Sequence, residues 1–334
     1  MLNFHLLQLV KHIKKYASDN ISDTASSFLF LPTLFFMSNR IHYSHCPVCG
    51  SDKLSSALEA VDYTVSKQKF AIWHCNSCTF RFTQDVPAAD SIAPYYQSEE
   101  YISHSDTGKG IINRLYHQVR KRTLGGKRKL VEGITGVKRG NILDVGAGTG
   151  AFLNEMKTTA WHITGLEPDA GARTMADKLY SLSFNTPDKL FELPQDNYDA
   201  ITMWHVLEHV HDLNGYVAQF KKLLKPNGKL FIAVPNYTSY DAASYQEYWA
   251  AYDVPRHLYH FAPASMKKLI EKHGLKIISY KPMWYDSFYV SLLSSKYKNG
   301  KSNFFGAGLV GFVSNLKALF DVKKCSSVIY IISK

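Results

Sequence analysis

Residues Asn141–Gly150 read NILDVGAGTG. Three apolar residues, Ile142, Leu143 and Val145, flank Asp144; glycines follow at 146, 148 and 150, and Ala151-Phe152-Leu153 opens a helical pattern. That order spells a buried parallel strand, a tight glycine turn and a helix N-terminus. Glycine lets the turn take positive φ and lets the backbone approach a ligand closely. About twenty residues further on, HITGLEPD gives a second strand ending in Glu167, whose carboxylate can accept two ribose hydroxyl hydrogen bonds. Gly146-x-Gly148-x-x-Ala151 also satisfies the loose dinucleotide fingerprint. Asp144 inside the strand, and the lack of a lysine in the loop, favour instead a cationic ligand with an amino-acid end over a pyrophosphate.

Outward from this stretch, strands and helices alternate. Ala170–Leu179 is expected as the helix after strand two, Tyr180–Phe184 as a weak strand three and Tyr198–Trp204 as strand four. Helix Leu213–Leu224 stops at Lys225-Pro-Asn-Gly228; Lys229–Val234, Leu275–Tyr280 and Ser326–Ser333 are the remaining strands. Alternation of this kind implies a doubly wound parallel sheet.

ILDVGAGTG, GLEPD and DAITMWHVLEHV, in this order and spacing, resemble the class I S-adenosylmethionine-dependent methyltransferases, and among them the branch of ubiquinone-type O-methyltransferases. The resemblance covers roughly residues 110–280. It implies a Rossmann-like α/β fold, a doubly wound seven-stranded sheet whose last strand is antiparallel. It also implies S-adenosylmethionine as cofactor, held by Asp144, Gly146, Ala147, Gly148, Gly150, Glu167, Pro168, Trp204 and His205. Methyl transfer from a sulfonium needs alignment of two reactants and exclusion of water, and a base can take the nucleophile's proton. His205, at the end of strand four, is the first candidate base; a purely cofactor-contacting role is the alternative. Glu208 and His209 match the family's Leu-Glu-His signature and are assigned to the acceptor side, or else to the start of a helix and its packing. The resembled pattern carries a glutamate where this chain has His205, which puts a magnesium ion there in doubt. His205-x-x-Glu208-His209 is also the inverzincin string, but it follows a buried strand rather than lying within a helix.

Residues 236–262, after strand five, form the expected substrate lid. They hold Tyr237, Trp249, Arg256 and Tyr259 as candidate acceptor contacts and His257 and His260 as rival bases. Aromatic faces stack on sugars, quinones or bases, and an arginine clamps phosphate or carboxylate.

The chain has 334 residues, 46% hydrophobic, and a net charge of +11. Residues 109–139 carry ten Lys/Arg against the single acid Glu132. That basic stripe is a solvated helix face or a contact for nucleic acid, anionic lipid or phosphorylated substrates. Residues 110–119 have the apolar spacing of an amphipathic helix, Gly125-Gly126 is expected to break it, and Lys129–Ile134 to begin another. This linker and helical cap, 87–139, is expected over the cleft entrance, ahead of a methyltransferase domain at 140–334.

Five cysteines, four of them paired as Cys46-Pro-Val-Cys49 and Cys75-Asn-Ser-Cys78, suit a reducing, cytoplasmic setting and a metal. Four thiolates at this spacing predict a closed structural zinc site, a zinc ribbon over 41–86. His42, His45 and His74 are read as bystanders, and Cys325 as inert. A ribbon followed by a methyltransferase resembles both ribosomal RNA base methyltransferases and bacterial sugar or surface-glycan methyltransferases; the tyrosine-rich Pro94–Tyr101 sides with the second group. Upstream, Phe4–Ile13 lacks signal-peptide flanks and Phe28–Met37 is short and broken by Pro32. We expect residues 1–40 to be an N-terminal extension, of which 1–36 lie ahead of a natural start at Met37. Asn303–Phe320 is glycine-rich and apolar, with Lys317 its only charge; it is expected to cap the substrate pocket, with peripheral membrane contact beside lipid-linked substrates as the alternative.

The expected activity is methyl transfer to a small molecule or a surface-glycan sugar. An RNA base methyltransferase is the rival, against which no Asn-Pro-Pro-aromatic motif follows strand four. A non-catalytic cofactor-binding sensor or subunit is the second.

Overall fold

The structure is a computed structural model that describes residues 39–97 and 111–334. Residues 1–38 of the expected extension, and 98–110 with the end of the tyrosine-rich segment, lie outside the described residues. Arg40–Lys334 form one compact unit.

The glycine motif sits where it was expected. Strand β6 (Asn141–Val145) is buried on both faces and lies between β7 (His162–Leu166) and β8 (Tyr198–Trp204). With β9 (Leu224–Pro235), β11 (Lys276–Pro282) and β12 (Ser327–Ser333) they make a six-stranded sheet in the order β11-β12-β9-β8-β6-β7. β6 to β9 run parallel, and β12 runs antiparallel between β9 and β11. Helices α2 (Ala151–Lys157), α3 (Ala170–Tyr180) and α4 (Leu213–Leu223) connect the parallel strands. The expected strand over 180–184 is reduced to one bridge, Leu166 to Asn185. Ser181 turns the chain with φ 52°, and Leu182 and Phe184 point inward under Gly150.

The sequence preceding β6 forms one helix, α1 (Ile111–Thr135), unbroken at Gly125-Gly126. Two glycines cost about 1 kcal/mol each against alanine. Leu124, Leu130, Val131 and Ile134 repay that by packing against the sheet core, and Arg128 ties the helix to Glu132 and Glu155 at 3.0 and 2.9 Å.

The cysteine segment builds an antiparallel sheet of β2 (Leu54–Val61), β3 (Lys69–Cys75) and β4 (Arg81–Thr83), beside a short pair, β1 (Arg40–Ile41) with β5 (Val86–Pro87). Its fourth strand, β10 (Tyr259–His260), comes from the stretch after β9 and pairs with β4. That stretch also holds a short helix, α5 (Tyr240–Tyr245), and is followed by α6 (Pro263–Lys272). The aromatic segment expected as a lid is thus stitched to the cysteine segment. Two helices, α7 (Asp286–Asn299) and α8 (Phe304–Phe320), separate β11 from β12. Among the described residues no helix is long and apolar enough to cross a membrane.

Candidate active site

Three positive-φ glycines shape the turn after β6. Gly146 has φ 75°, its N–H donates to the Leu166 carbonyl at 2.8 Å, and a Cβ there would lie 2.3 Å from Val206. Gly148, at φ 54°, would have nothing within 4 Å of a Cβ, so this face of the turn is open for a ligand. Gly150 (φ 82°) starts α2, and Ala147 is buried beneath the turn. Glu167, at the end of β7, accepts the Gly148 N–H at 2.7 Å and the Asp169 N–H at 2.9 Å. One carboxylate therefore ties the glycine turn to the loop after β7, where Pro168 follows. Burial holds its proton affinity above the ordinary carboxylate range.

Asp144 is buried in mid-sheet and accepts the Thr202 hydroxyl at 2.5 Å. Burial and then the charge of Glu167 raise its pKa, against the Thr202 hydrogen bond and Lys127, to about 7. Lys127, which sequence reading counted only as part of the basic stripe, reaches from α1 over the Trp204 ring, 4.3 Å from its centroid. Burial lowers its pKa while Asp144 and Asp286 pull it up. Trp204 packs edge-on against Phe152 at 5.5 Å, and its indole N–H has no partner among the described residues. The cofactor candidates thus converge at the carboxyl ends of β6, β7 and β8, where ligands of open α/β sheets bind.

His205, at φ 59°, presents Nε2 to Asp286 at 2.9 Å and Nδ1 to Glu208 at 3.3 Å. Burial alone would lower its pKa, but the two carboxylates outweigh it and raise it to about 10. Two carboxylates on its two ring nitrogens favour the charged imidazolium, and that weighs against the expected role of His205 as the base, since a cation held between two acids has no lone pair to offer. Asp286 was not anticipated. It lies 81 positions from His205, so no local spacing joins them.

Glu208 is fully buried, and neither carboxylate oxygen accepts a well-directed hydrogen bond. His209 and His257 meet edge to face, 4.5 Å between centroids. Their Nδ1 atoms lie 3.0 Å from the Arg256 carbonyl and 2.8 Å from the Ala251 carbonyl, which makes both Nδ1 donors; His209 Nδ1 also lies 3.1 Å from the Tyr96 hydroxyl, and His257 Nε2 lies 4.0 Å from Asp253 Oδ2. Donor atoms of Glu208, His209 and His257 lie within 4.8 Å of one another. Two imidazoles oriented by backbone carbonyls, with a buried carboxylate that also faces His205, are a donor set that could hold a divalent first-row ion. Burial and then His257 lower the His209 pKa to about 4.

Other expected acceptor contacts are spent internally. Arg256 is buried; it donates to Asp62 at 3.0 Å, to Asp253 at 2.6 and 3.0 Å and to the Tyr95 carbonyl at 2.8 Å, so no N–H fork remains for an anion. Tyr259 is buried under Tyr43, their hydroxyls 3.2 Å apart. Trp249 is buried with its indole N–H on Asp241 at 2.8 Å. Tyr237 gives its hydroxyl to the Thr79 carbonyl and its face to Arg81. His260 is buried against the Thr83 hydroxyl at 3.1 Å; burial, His257 and Arg81 hold it neutral. Arg256, Tyr259, Tyr237 and His260 join the aromatic segment to the cysteine sheet, and Trp249 packs within the segment itself.

The four cysteine sulfurs also converge. Cys46 Sγ lies 3.6 Å from Cys78 Sγ, Cys49 Sγ lies 3.5 Å from Cys75 Sγ, and all four fall within 4.8 Å of one another. Ligands at about 2.3 Å around a tetrahedral zinc stand about 3.8 Å apart, so the residues present fit such an ion. The Cys78 hydrogen bond, against burial, lowers the Cys46 thiol to about 5.

Residues 116–280 match a family model described as a methyltransferase domain. The chain is 27% identical over 119 residues to the demethylmenaquinone methyltransferase of Tropheryma whipplei, covering 34% of this chain and 50% of that protein. It is 32% identical over 103 residues to the ubiquinone biosynthesis O-methyltransferase of Photobacterium profundum, covering 28% and 43%. To that of Nitrosococcus oceani it is 28% identical over 174 residues, covering 48% and 71%. The chain thus spans about half the length of the first of these relatives. The matched span runs from within α1 to β11; it contains the glycine turn, Glu167 and the His205–His209 cluster and leaves out the four cysteines, α7 and α8. With the open glycine turn between two acids at the strand ends, the match identifies residues 116–280 as a class I S-adenosylmethionine-dependent methyltransferase domain.

Proposed function

We propose that this chain binds S-adenosylmethionine and transfers its methyl group to a small molecule or a surface-glycan sugar. The observation that carries the reading is the turn at Gly146–Gly150, open at Gly148 and tied to Glu167, with Asp144 behind it. The nucleoside ribose would take the remaining lone pairs of Glu167, and Asp144 would balance the cofactor's positive charge when ionised. His205, charged and fixed by Asp286 and Glu208, would orient a hydroxyl or a carboxylate of the acceptor. His257, its Nδ1 held by the Ala251 carbonyl and its Nε2 beside the Asp253 carboxylate, is the proposed proton acceptor. A divalent ion held by Glu208, His209 and His257 is a second reading, favoured by the convergence of their donor atoms within 4.8 Å; such an ion would supply Lewis-acid lowering of an acceptor hydroxyl's pKa.

The small acceptor is preferred to RNA because part of the basic stripe is consumed internally. Lys127 faces Trp204 and Arg128 pairs with Glu132 and Glu155. We also propose that the four cysteines hold a structural zinc. Labelled cofactor supplied to cell extract, followed by identification of the labelled product, tests the acceptor class. His257→Asn should cut methyl transfer at least about a hundredfold while cofactor affinity stays within about twofold. Full activity in that variant would remove the proposed base, and metal analysis of the wild type separates the ion-based reading.

A further inference from the structure

Helix α8 is packed inside out. Its buried stripe is Ala307, Gly311, Ser314 and Ala318, while its large side chains face water. Phe305 and Phe320 are 87% and 88% exposed, and Leu309, Phe312, Leu316 and Leu319 lie exposed between them. Helix α7 repeats the pattern: Ser287, Ser291, Ser294 and Ser295 are buried, and Phe288 and Tyr289 are exposed. The two helices lie close. A Cβ at Gly311 would sit 2.8 Å from the Phe288 ring and 3.1 Å from its Cα. A helix facing water on its outer side carries polar residues there and buries its large apolar ones. A contiguous face of this kind on a folded protein marks a surface that something apolar covers.

We propose that the α7–α8 face docks on an anionic lipid bilayer, lying in its interface without crossing it. Residues 286–324 carry six lysines against Asp286 and Asp321, and Asp286 is turned inward to His205. Lys298 and Lys301 are exposed where α7 hands over to α8, and Lys323 and Lys324 are exposed just beyond the far end of α8. The apolar strip is thus flanked at both ends by cations, the arrangement that seats aromatic side chains in the acyl boundary and ammonium groups among anionic headgroups. A second copy of the chain fits less well: with both ends basic, either orientation of a two-fold pair sets lysine against lysine. The 17 residues of α8 span about 25 Å, short of the roughly 30 Å hydrocarbon core, and the small-residue stripe is already packed against protein. The first residue of α7, Asp286, contacts His205, so one helix joins this face to the candidate active site.

The test is flotation of the full chain with phosphatidylcholine vesicles, with and without phosphatidylglycerol. Binding is expected only to the anionic vesicles. A Phe305→Ser, Phe312→Ser double variant should weaken it at least about tenfold, and Lys298→Glu with Lys301→Glu by a similar factor, each pair leaving the thermal midpoint unchanged because these side chains are exposed. No binding to anionic vesicles, or binding that the aromatic substitutions leave intact, would overturn the proposal. So would a dimer in sedimentation that the Phe305→Ser, Phe312→Ser variant dissociates while vesicles are not bound.

Discussion

Arg256 should matter for stability and not for acceptor affinity. Its guanidinium pairs with fully buried Asp62 and with partly exposed Asp253. Arg256→Ala strands the Asp62 carboxylate, and removing one partner of a buried pair costs about 3–5 kcal/mol. The lower end applies, because Asp62 also accepts N–H bonds from Thr64, Val65 and Ser66 and the hydroxyls of Thr64 and Ser66. Burial would raise the Asp62 pKa, but Arg256 and those donors bring it down to about 2. A folded pKa below the unfolded value stabilises above the unfolded pKa and is lost as pH falls through the folded one. Asp62 should therefore contribute about 2 kcal/mol at neutral pH, lost between roughly pH 4 and pH 2. Denaturant unfolding of wild type and Arg256→Ala, at neutral pH and near pH 3, is the assay. The variant should lose about 3 kcal/mol at neutral pH and less in acid, and Asp62→Asn added to it should recover part of the loss. An Arg256→Ala protein as stable as wild type, with a raised KM for acceptor, would refute the internal pairing and restore Arg256 as an anion clamp.

Asp144, with its pKa raised by burial to about 7, binds its proton in the folded state where an unfolded aspartate has lost it. Stability of the ligand-free protein should thus fall as pH rises from about 4 to about 7, while S-adenosylmethionine affinity should rise up to about tenfold per pH unit below about pH 6 and level off near pH 7; Asp144→Asn should flatten both profiles. Cys75→Ser, or a strong chelator, should abolish bound zinc and, because β10 pairs with β4, lower the melting temperature of the protein in the same step. Metal-free protein of unchanged stability would contradict a structural ion.

The order β6, glycine turn, α2, β7 was legible because it is written in consecutive residues: a both-sides-buried strand, obligatory positive φ, an acid at a fixed distance. The cysteine pairs were legible because each is a short local motif, two thiols with two residues between them, although their sulfurs meet across 32 and 26 positions. Pairings over long separations were not. Arg256 meets Asp62 across 194 positions and His205 meets Asp286 across 81, so the arginine was read as free and the histidine as uncharged. Gly125-Gly126 looked like a break because local propensity counts two glycines and cannot see the core contacts of Leu124 and Val131 beneath them. Lys127 was hidden in a run of like charges, with nothing to mark that it lies over Trp204.

The central claim is that the Gly146–Gly150 turn, between Asp144 and Glu167, holds a sulfonium nucleoside. Isothermal calorimetry of the full chain with S-adenosylmethionine, its demethylated product and NAD tests it directly. The account predicts that the first two bind, that Glu167→Leu weakens both by at least about tenfold, and that NAD gives no heat. Binding of NAD without either sulfur nucleoside would contradict it.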